Sequence, residues 1–361
     1  MPITARQVIF RVDSSRIIGN GHVMRCTNFA KFLRNRGVDC RFISRTHDGA
    51  LRDIVVESGF EQLWLAKPPA SEVADMSDYS QWLGVPVSED AEETIAVLQG
   101  SRADFLVVDH YSLDWRWESR LYGHARAIFV VDDLANRRHF CDVLLDQTVN
   151  RDKCDYDQLV PDSCKVLTGV EFALIDPSFS RLRKFSLSRR STGGVKRLLI
   201  SLGGVDPNNI TLKVLEILET ISRVRILTID VVVAKNCPNL ASLKTFCSST
   251  KLKVSLIIGT SEMAEIMARS DIAIGAGGTS SWERCVLGLP TVQLTLAGNQ
   301  DLVVSSLHKL GAAISTDLDH LEQSILKLFN NETRLKVSSR AAAVVDGNGL
   351  ERIYRELTGG V

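Results

Sequence analysis

The sequence predicts an α/β chain of two doubly wound, Rossmann-like domains facing each other across a cleft. Three observations predict it. Apolar runs of strand type alternate with helical patterns along most of the chain. The alternation breaks most clearly at 184–196 (KFSLSRRSTGGVK), a polar, basic stretch with paired glycines that reads as an interdomain linker. On either side of that stretch the chain opens with the same device: a strand, a glycine turn and a helix. At 361 residues it is long enough for two domains of about 100–200 residues each. The expected boundaries are 1–185, a linker at 186–194, and 195–345.

In the first domain Val8, Ile9, Phe10 and Val12 form a buried strand, which runs into RVDSSRIIGNGHVMRC (11–26). Cys26, Phe29, Ala30 and Leu33 then recur at i, i+3, i+4 and i+7, one face of a helix. His22 therefore sits on a strand-to-helix turn, in the first turn of the helix, where open parallel sheets bind ligands. Gly37 caps the helix and 38–43 is the next strand. Further strands follow at 105–109 (FLVVD), 127–132 (AIFVVD) and 143–146 (VLLD).

The second domain starts with a strand at 198–202 (LLISL), the Gly203-Gly204 turn, the polar VDPNN segment and a helix over 212–221. Strands at 226–233, 254–258, 272–274 and 291–294 follow, with a helix at 263–269 between the second and third.

Composition narrows the function. Hydrophobic residues make up 45% and charged residues 24%, so ordinary globular cores are expected. The 43 basic and 43 acidic residues cancel, which argues against a general nucleic-acid binder. The eight cysteines form no CxxC pair, so buried free thiols are expected in place of a disulfide or zinc framework. No apolar run is long enough for a signal peptide or membrane span, and a cytoplasmic protein with no membrane partner is expected.

The most informative stretch of the second half is IAIGAGGTSSWERCVLGLP (272–290). A buried strand ends at Gly275. Gly277 and Gly278 allow a close backbone approach, and Thr279 or Ser280 opens a helix whose free amides suit a diphosphate. Neither a Walker lysine nor a GxGxxG order is present, so P-loop and dinucleotide readings are poor. Glu283 can complement the helix dipole or accept hydrogen bonds from a ribose. The 297–301 turn (AGNQD) can be a simple turn and helix cap, or close over the same nucleotide. Asp13 can bind a sugar, hold the His22 ring or stabilise the turn. Tyr111 is a candidate sugar contact, and His110 a structural residue. Asp132 and Asp133 are adjacent, so their side chains diverge, with structural and functional roles both open. The remaining histidines show no ligand spacing.

Five blocks in order resemble a known family: 11–26 above, VVDHYSLDWRWE (107–118), VVDDLANRRHFCDVLLDQ (130–147), ISLGGVDPNNIT (200–211) and IGAGGTSSWERCVLGLP (274–290). The chain resembles the UDP-sugar hydrolases of pseudaminic acid biosynthesis. These in turn resemble the two-domain glycosyltransferases of the B-type fold. The resemblance implies a UDP-sugar substrate, with His22 as the base that activates water. No DxD-like carboxylate pair is placed for a catalytic divalent ion, so neither a metal nor a cofactor is expected. The resemblance supports Tyr111 at the sugar, where Asp13 and Gly21 are also expected. It implies Gly204, Thr260, Gly277, Gly278, Thr279, Ser280, Glu283, Asn299 and Gln300 around the nucleotide, with uracil near 259–260, diphosphate at 277–280 and ribose at Glu283. It also implies a last helix, roughly 346–361, crossing back to the first domain. A lipid-acceptor transferase is disfavoured because no membrane-binding patch is evident around the first domain's loops. The segments 169–179 and 64–82 depart from the family pattern and bear on which sugar is preferred.

Overall fold

The computed structural model describes residues 7–50, 52–69, 78–100, 102–203 and 206–358. It divides into two compact units, Met1–Asp176 with Asn348–Val361, and Pro177–Gly347.

The first unit is built on parallel strands β1 (Gln7–Val12), β2 (Asp39–Arg45), β3 (Glu61–Leu65), β4 (Ala103–Asp109), β5 (Ala125–Val131), β6 (Val143–Asp146) and β7 (Lys165–Thr168). Their spatial order is β3-β2-β1-β4-β5-β6-β7. The central strands read as near-continuous apolar runs because helices cover both faces. Phe10 sits between Phe42 of β2 and Val107 of β4, and its ring stacks on Phe42 at 4.9 Å. Ile9, Ile43, Leu106 and Ile128 form the opposite core with the fully buried Trp117. Helices α1 (Gly21–Arg34), α2 (Arg52–Glu57), α3 (Val87–Leu98) and α4 (Trp115–Leu121) lie between strands. Strand order reverses between β1 and β4, so the carboxyl ends of those two strands flank a switch point.

The second unit begins with α5 (Pro177–Thr192) and continues β8 (Arg197–Ser201), α6 (Ile210–Thr220), β9 (Thr228–Val233), α7 (Leu240–Ser249), β10 (Lys253–Ile258) and α8 (Met263–Arg269). Then come β11 (Ile272–Ala276), α9 (Ser280–Val286), β12 (Thr291–Leu294), α10 (Asp301–Lys309), β13 (Ile314–Thr316), α11 (Leu321–Lys327) and α12 (Asn331–Val344). The parallel order β10-β9-β8-β11-β12-β13 places the switch point between β8 and β11.

One expectation is corrected. The stretch expected as a linker at 186–194 is helical through Thr192 and belongs to the second unit. Its polar composition is not that of a solvated tether. Arg190, buried, donates to the carbonyls of Met267, Ser270 and Leu287, and Arg183 donates to those of Val286, Ala342 and Val345. These are orphan acceptors at helix C-termini, which suit a cation. The chain passes between units at 176–177 instead.

The last helix, α13 (Gly349–Thr358), belongs to the first unit. It buries Leu350 and Ile353 in the β1 core and sets Tyr354 against Phe32 at 6.1 Å. Gly349 permits this docking, since a Cβ there would lie 2.3 Å from the Ala173 carbonyl oxygen. Among the described residues no helix is long and apolar enough to cross a membrane. Cys154 is exposed, against the expectation of buried thiols, while Cys26, Cys40, Cys141, Cys237 and Cys285 are buried.

Candidate active site

At the first switch point the chain turns tightly before α1. Ser15 Oγ accepts from the Ile17 and Ile18 amides, Gly19 donates to the Ser15 carbonyl, and Gly19 adopts a φ of 76° that favours glycine. Gly21 is the exposed first residue of α1. His22 follows, 8% exposed, with Nδ1 2.6 Å from Asp109 Oδ1 at the end of β4.

Arg25, one helical turn on, grips the same carboxylate: Nε reaches Asp109 Oδ2 at 2.6 Å and Nη2 reaches Oδ1 at 2.7 Å. Its Nη1 meets Asp133 Oδ2 at 2.5 Å, and the Tyr111 hydroxyl donates to that same oxygen at 2.9 Å. Burial alone would raise the Asp109 pKa, but Arg25 and His22 hold it well below the usual carboxylate range. An ionised carboxylate only accepts hydrogen bonds, so the hydrogen between them is on His22 Nδ1. The neutral ring then carries its lone pair on Nε2, which has no hydrogen-bond partner among the described residues. Aromatic rings box the imidazole. Tyr111 meets it edge to face at 4.6 Å, Trp82 lies at 6.4 Å, and Tyr79 contacts both Trp82 and Tyr111.

Asp13 does not hold the His22 ring. It is fully buried, with Oδ1 accepting from Arg11 and from the Arg45 amide, both at 2.6 Å, and Oδ2 accepting from Arg11 at 3.0 Å. His110 Nε2 lies 3.2 Å away and His47 Nε2 3.4 Å. Arg11 and Arg45 also bind Asp90 of α3, to which Trp117 Nε1 donates. Asp13 thus ties β1, β2 and α3 together and presents no oxygen to a sugar in this arrangement. Tyr111 is nearly as buried, with its hydroxyl engaged by Asp133. The sequence reading overlooked Asp109, Arg25 and Asp133 as a set. The signal was there in VVDH ending a strand and in His22 and Arg25 spaced three apart.

Asp132 and Asp133 diverge as expected. Asp132 takes Arg137 at 2.5 Å and shares the Tyr156 hydroxyl (2.9 Å) with Asp146 (2.8 Å). One hydroxyl proton cannot serve both carboxylates. Burial, then the Asp133 charge, push Asp146 up to about 6, against Thr148 and Arg151. A folded value above the unfolded one, about 3.9, means the stabilisation is complete below that unfolded value and is lost as pH rises through about 6. Asp146→Asn is therefore expected to raise the melting temperature by a few degrees at pH 8 and leave it nearly unchanged at pH 3, where the carboxyl is protonated in both states. An equal loss at both would show that the Arg151 pairing dominates instead.

At the second switch point two helices start, after β8 and after β11. The α6 start is closed: Asp206 accepts from the Ile210 and Thr211 amides at 2.8 and 2.7 Å. The turn between β11 and α9 is open. The amides of Gly278, Thr279 and Ser280 make no hydrogen bond among the described residues. The Gly277 amide, expected to face the diphosphate, instead donates to Gln300 Oε1 at 3.2 Å, which also accepts from Leu296 at 3.0 Å. Gln300 thus braces the turn with the group expected to reach the nucleotide.

The two glycines also differ in purpose. A Cβ on Gly277 would sit 2.4 Å from Val304 Cγ2, whereas one on Gly278 meets nothing within 4 Å. Gly277→Ala should cost about 1–3 kcal/mol of stability through overpacking. Gly278→Ala should leave stability unchanged and, by filling the open face, weaken binding of the nucleotide expected there. Thermal melts and calorimetry read the two effects separately. Tolerance of Gly277→Ala would mean that α10 yields.

Glu283 is the half-buried fourth residue of α9. Thr260 lies two residues beyond β10, with Oγ1 accepting from the Glu262 amide. Asn299 lies in the 3-10 turn Gly298–Gln300, and its side chain falls outside the described residues, as does Gly204.

Two parallel α/β sheets, each with a glycine turn at its switch point, make up a glycosyltransferase B-type fold. Residues 203–353 match the glycosyltransferase family 28 C-terminal domain. The crystal structure of Acinetobacter baumannii MurG has the same fold, with a TM-score of 0.62 and 14% identity, covering 98% of this chain and 99% of that one. Over 305 residues the chain is 25% identical to the UDP-2,4-diacetamido-2,4,6-trideoxy-β-L-altropyranose hydrolase of Campylobacter jejuni, covering 84% of this chain and 97% of that protein. A Helicobacter pylori protein named pseudaminic acid cytidylyltransferase and UDP-2,4-diacetamido-2,4,6-trideoxy-β-L-altropyranose hydrolase is 27% identical over 256 residues. That match takes in 70% of this chain and 45% of the longer protein. The chain is a relative of these altropyranose hydrolases.

Proposed function

We propose that the protein hydrolyses a UDP-linked 2,4-diacetamido-2,4,6-trideoxy-β-L-altropyranose to UDP and the free sugar. Water attacks the anomeric carbon and gives its proton to His22 Nε2. The bond from that carbon to the β-phosphate oxygen breaks with its electrons leaving on UDP, and the configuration inverts. The observation that carries this reading is the polarised imidazole, with Nδ1 held by Asp109 and Nε2 left free at a switch point. Asp109 and Arg25 orient the ring and stabilise the imidazolium that forms. The second unit holds the nucleotide: the 278–280 amides meet the leaving diphosphate, Glu283 the ribose and the 259–260 loop the uracil.

The test is UDP release from that sugar nucleotide with no acceptor, in EDTA and in ¹⁸O-labelled water, beside UDP-N-acetylglucosamine. Label in the sugar with inverted configuration supports the reading, and label in UDP would overturn carbon–oxygen cleavage. The family 28 match favours a second reading, transfer of the sugar to an acceptor hydroxyl by the same base. UDP release that needs an added acceptor would put that reading first.

A further inference from the structure

Arg284 is a buried cation placed where its own helix opposes it. It is the fifth residue of α9, and its side chain folds back toward the helix start, the direction in which helical side chains tilt. The residue is 2% exposed. Its Nη2 donates to the Ala276 carbonyl at 2.6 Å and to Ser281 Oγ at 3.0 Å, and its Nη1 donates to Ser280 Oγ at 3.0 Å. Among the described residues no carboxylate lies within ion-pair distance of it. Burial pushes its pKa down to about 10, outweighing the opposing pull of Cys285 and Glu283.

Arg183 and Arg190 also lack carboxylate contacts, but they meet helix C-terminal carbonyls, where the macrodipole favours positive charge. The Arg284 guanidinium stands at the positive end, where the dipole opposes it, and the nearby Glu283 charge offsets its burial only in part. Gly275 makes the placement possible, since a Cβ there would lie 2.6 Å from Arg284 Nη1. Above the guanidinium the turn is half-exposed at Gly278, Thr279 and Ser280. Ser281 Oγ is saturated, receiving Arg284 and Gln293 while donating to Ala276. Ser280 Oγ only receives, so its own proton is left to point away from Arg284.

We infer that Arg284 is the charge that fits the 275–280 turn to a phosphate-class dianion, acting through the Ser280 hydroxyl, which it orients as a donor to the diphosphate. The inference rests on reading this turn as the nucleotide's diphosphate site. Arg284 is a positioning residue. It touches no ligand, and the arriving anion adds to the partial counter-charge that Glu283 supplies. A buried cation is screened little by salt, so the attraction persists at physiological ionic strength.

The experiment compares binding of UDP and of uridine to the full chain by calorimetry, for the native protein, Arg284→Lys and Ser280→Ala. Lysine keeps the charge but cannot span Ser280 and Ala276 with one fork. The expected result is a UDP dissociation constant raised at least tenfold in both variants, with that of uridine changed less than twofold. Equal weakening of UDP and uridine would make Arg284 merely structural and overturn the inference. Unchanged UDP binding in both variants would overturn it while leaving the nucleotide reading intact. A native chain that binds neither ligand would overturn both. If Arg284→Lys does not fold, Ser280→Ala alone decides, because its half-exposed hydroxyl supports no other described group.

Discussion

Replacing His22 with alanine is expected to lower UDP release by about 10²–10⁴-fold, the usual contribution of a positioned general base. UDP affinity should not change, because the groups assigned to the nucleotide lie in the other unit. The fold should survive, because Arg25 still holds Asp109 through two short contacts when the ring is gone. Steady-state release, a thermal melt and a UDP titration separate the three statements. A variant that keeps its rate within a few-fold would remove His22 from the chemistry and leave the free Nε2 unexplained.

Asp109→Asn should have the second-largest effect. The amide nearly matches the carboxylate in shape, but it no longer requires the proton on Nδ1. The ring can then accept at Nδ1 and lose its lone pair at Nε2. An Asp-to-Asn change behind a catalytic histidine in a serine protease costs about 10⁴ in kcat. Here a fall of about 10²–10⁴ is expected, in kcat more than in KM. Stability should also suffer by about 3–5 kcal/mol, since Arg25 is left as a buried cation with its main partner neutralised. Because the Asp109 pKa is depressed on folding, its contribution is present above the unfolded carboxylate value of about 3.9 and is lost as pH falls through the folded one. The stability gap between native and variant chains should be constant from pH 8 to 5 and shrink in stronger acid. Normal kcat in the folded variant would reduce Asp109 to a packing role.

How much of this was legible beforehand depended on burial. The central strands announce themselves because both faces are covered and their apolar runs are nearly continuous. Gln7–Val12, Ala103–Asp109 and Ala125–Val131 are of this kind. The strands that escaped, Glu61–Leu65, Lys165–Thr168 and Ile314–Thr316, lie at sheet edges. There only some positions are covered, so their runs are short and mixed. The α5 helix was hidden for another reason. Arginine and serine signal a loop by composition, yet here they bond carbonyls at the ends of neighbouring helices. At the site, the glycine turns and His22 were visible because their chemistry is local. The partner of His22 was not, because Asp13 and Asp109 both end neighbouring strands and only the lateral placement of α1 selects between them.

The return of the chain to its first unit bears on how the protein is made. Pro177–Gly347 is one uninterrupted segment and has all its parts once residue 347 has left the ribosome. The first unit, though synthesised earlier, lacks the apolar cover over Phe32 that Leu350, Ile353 and Tyr354 supply. Nascent domains generally mature in order of synthesis. Here the order is inverted: the sheet of the first unit waits, with part of its core uncovered, until Gly349–Thr358 has been released. Stalled or prematurely terminated chains would therefore carry a finished second unit and a sticky first one, a defined target for chaperones and proteases.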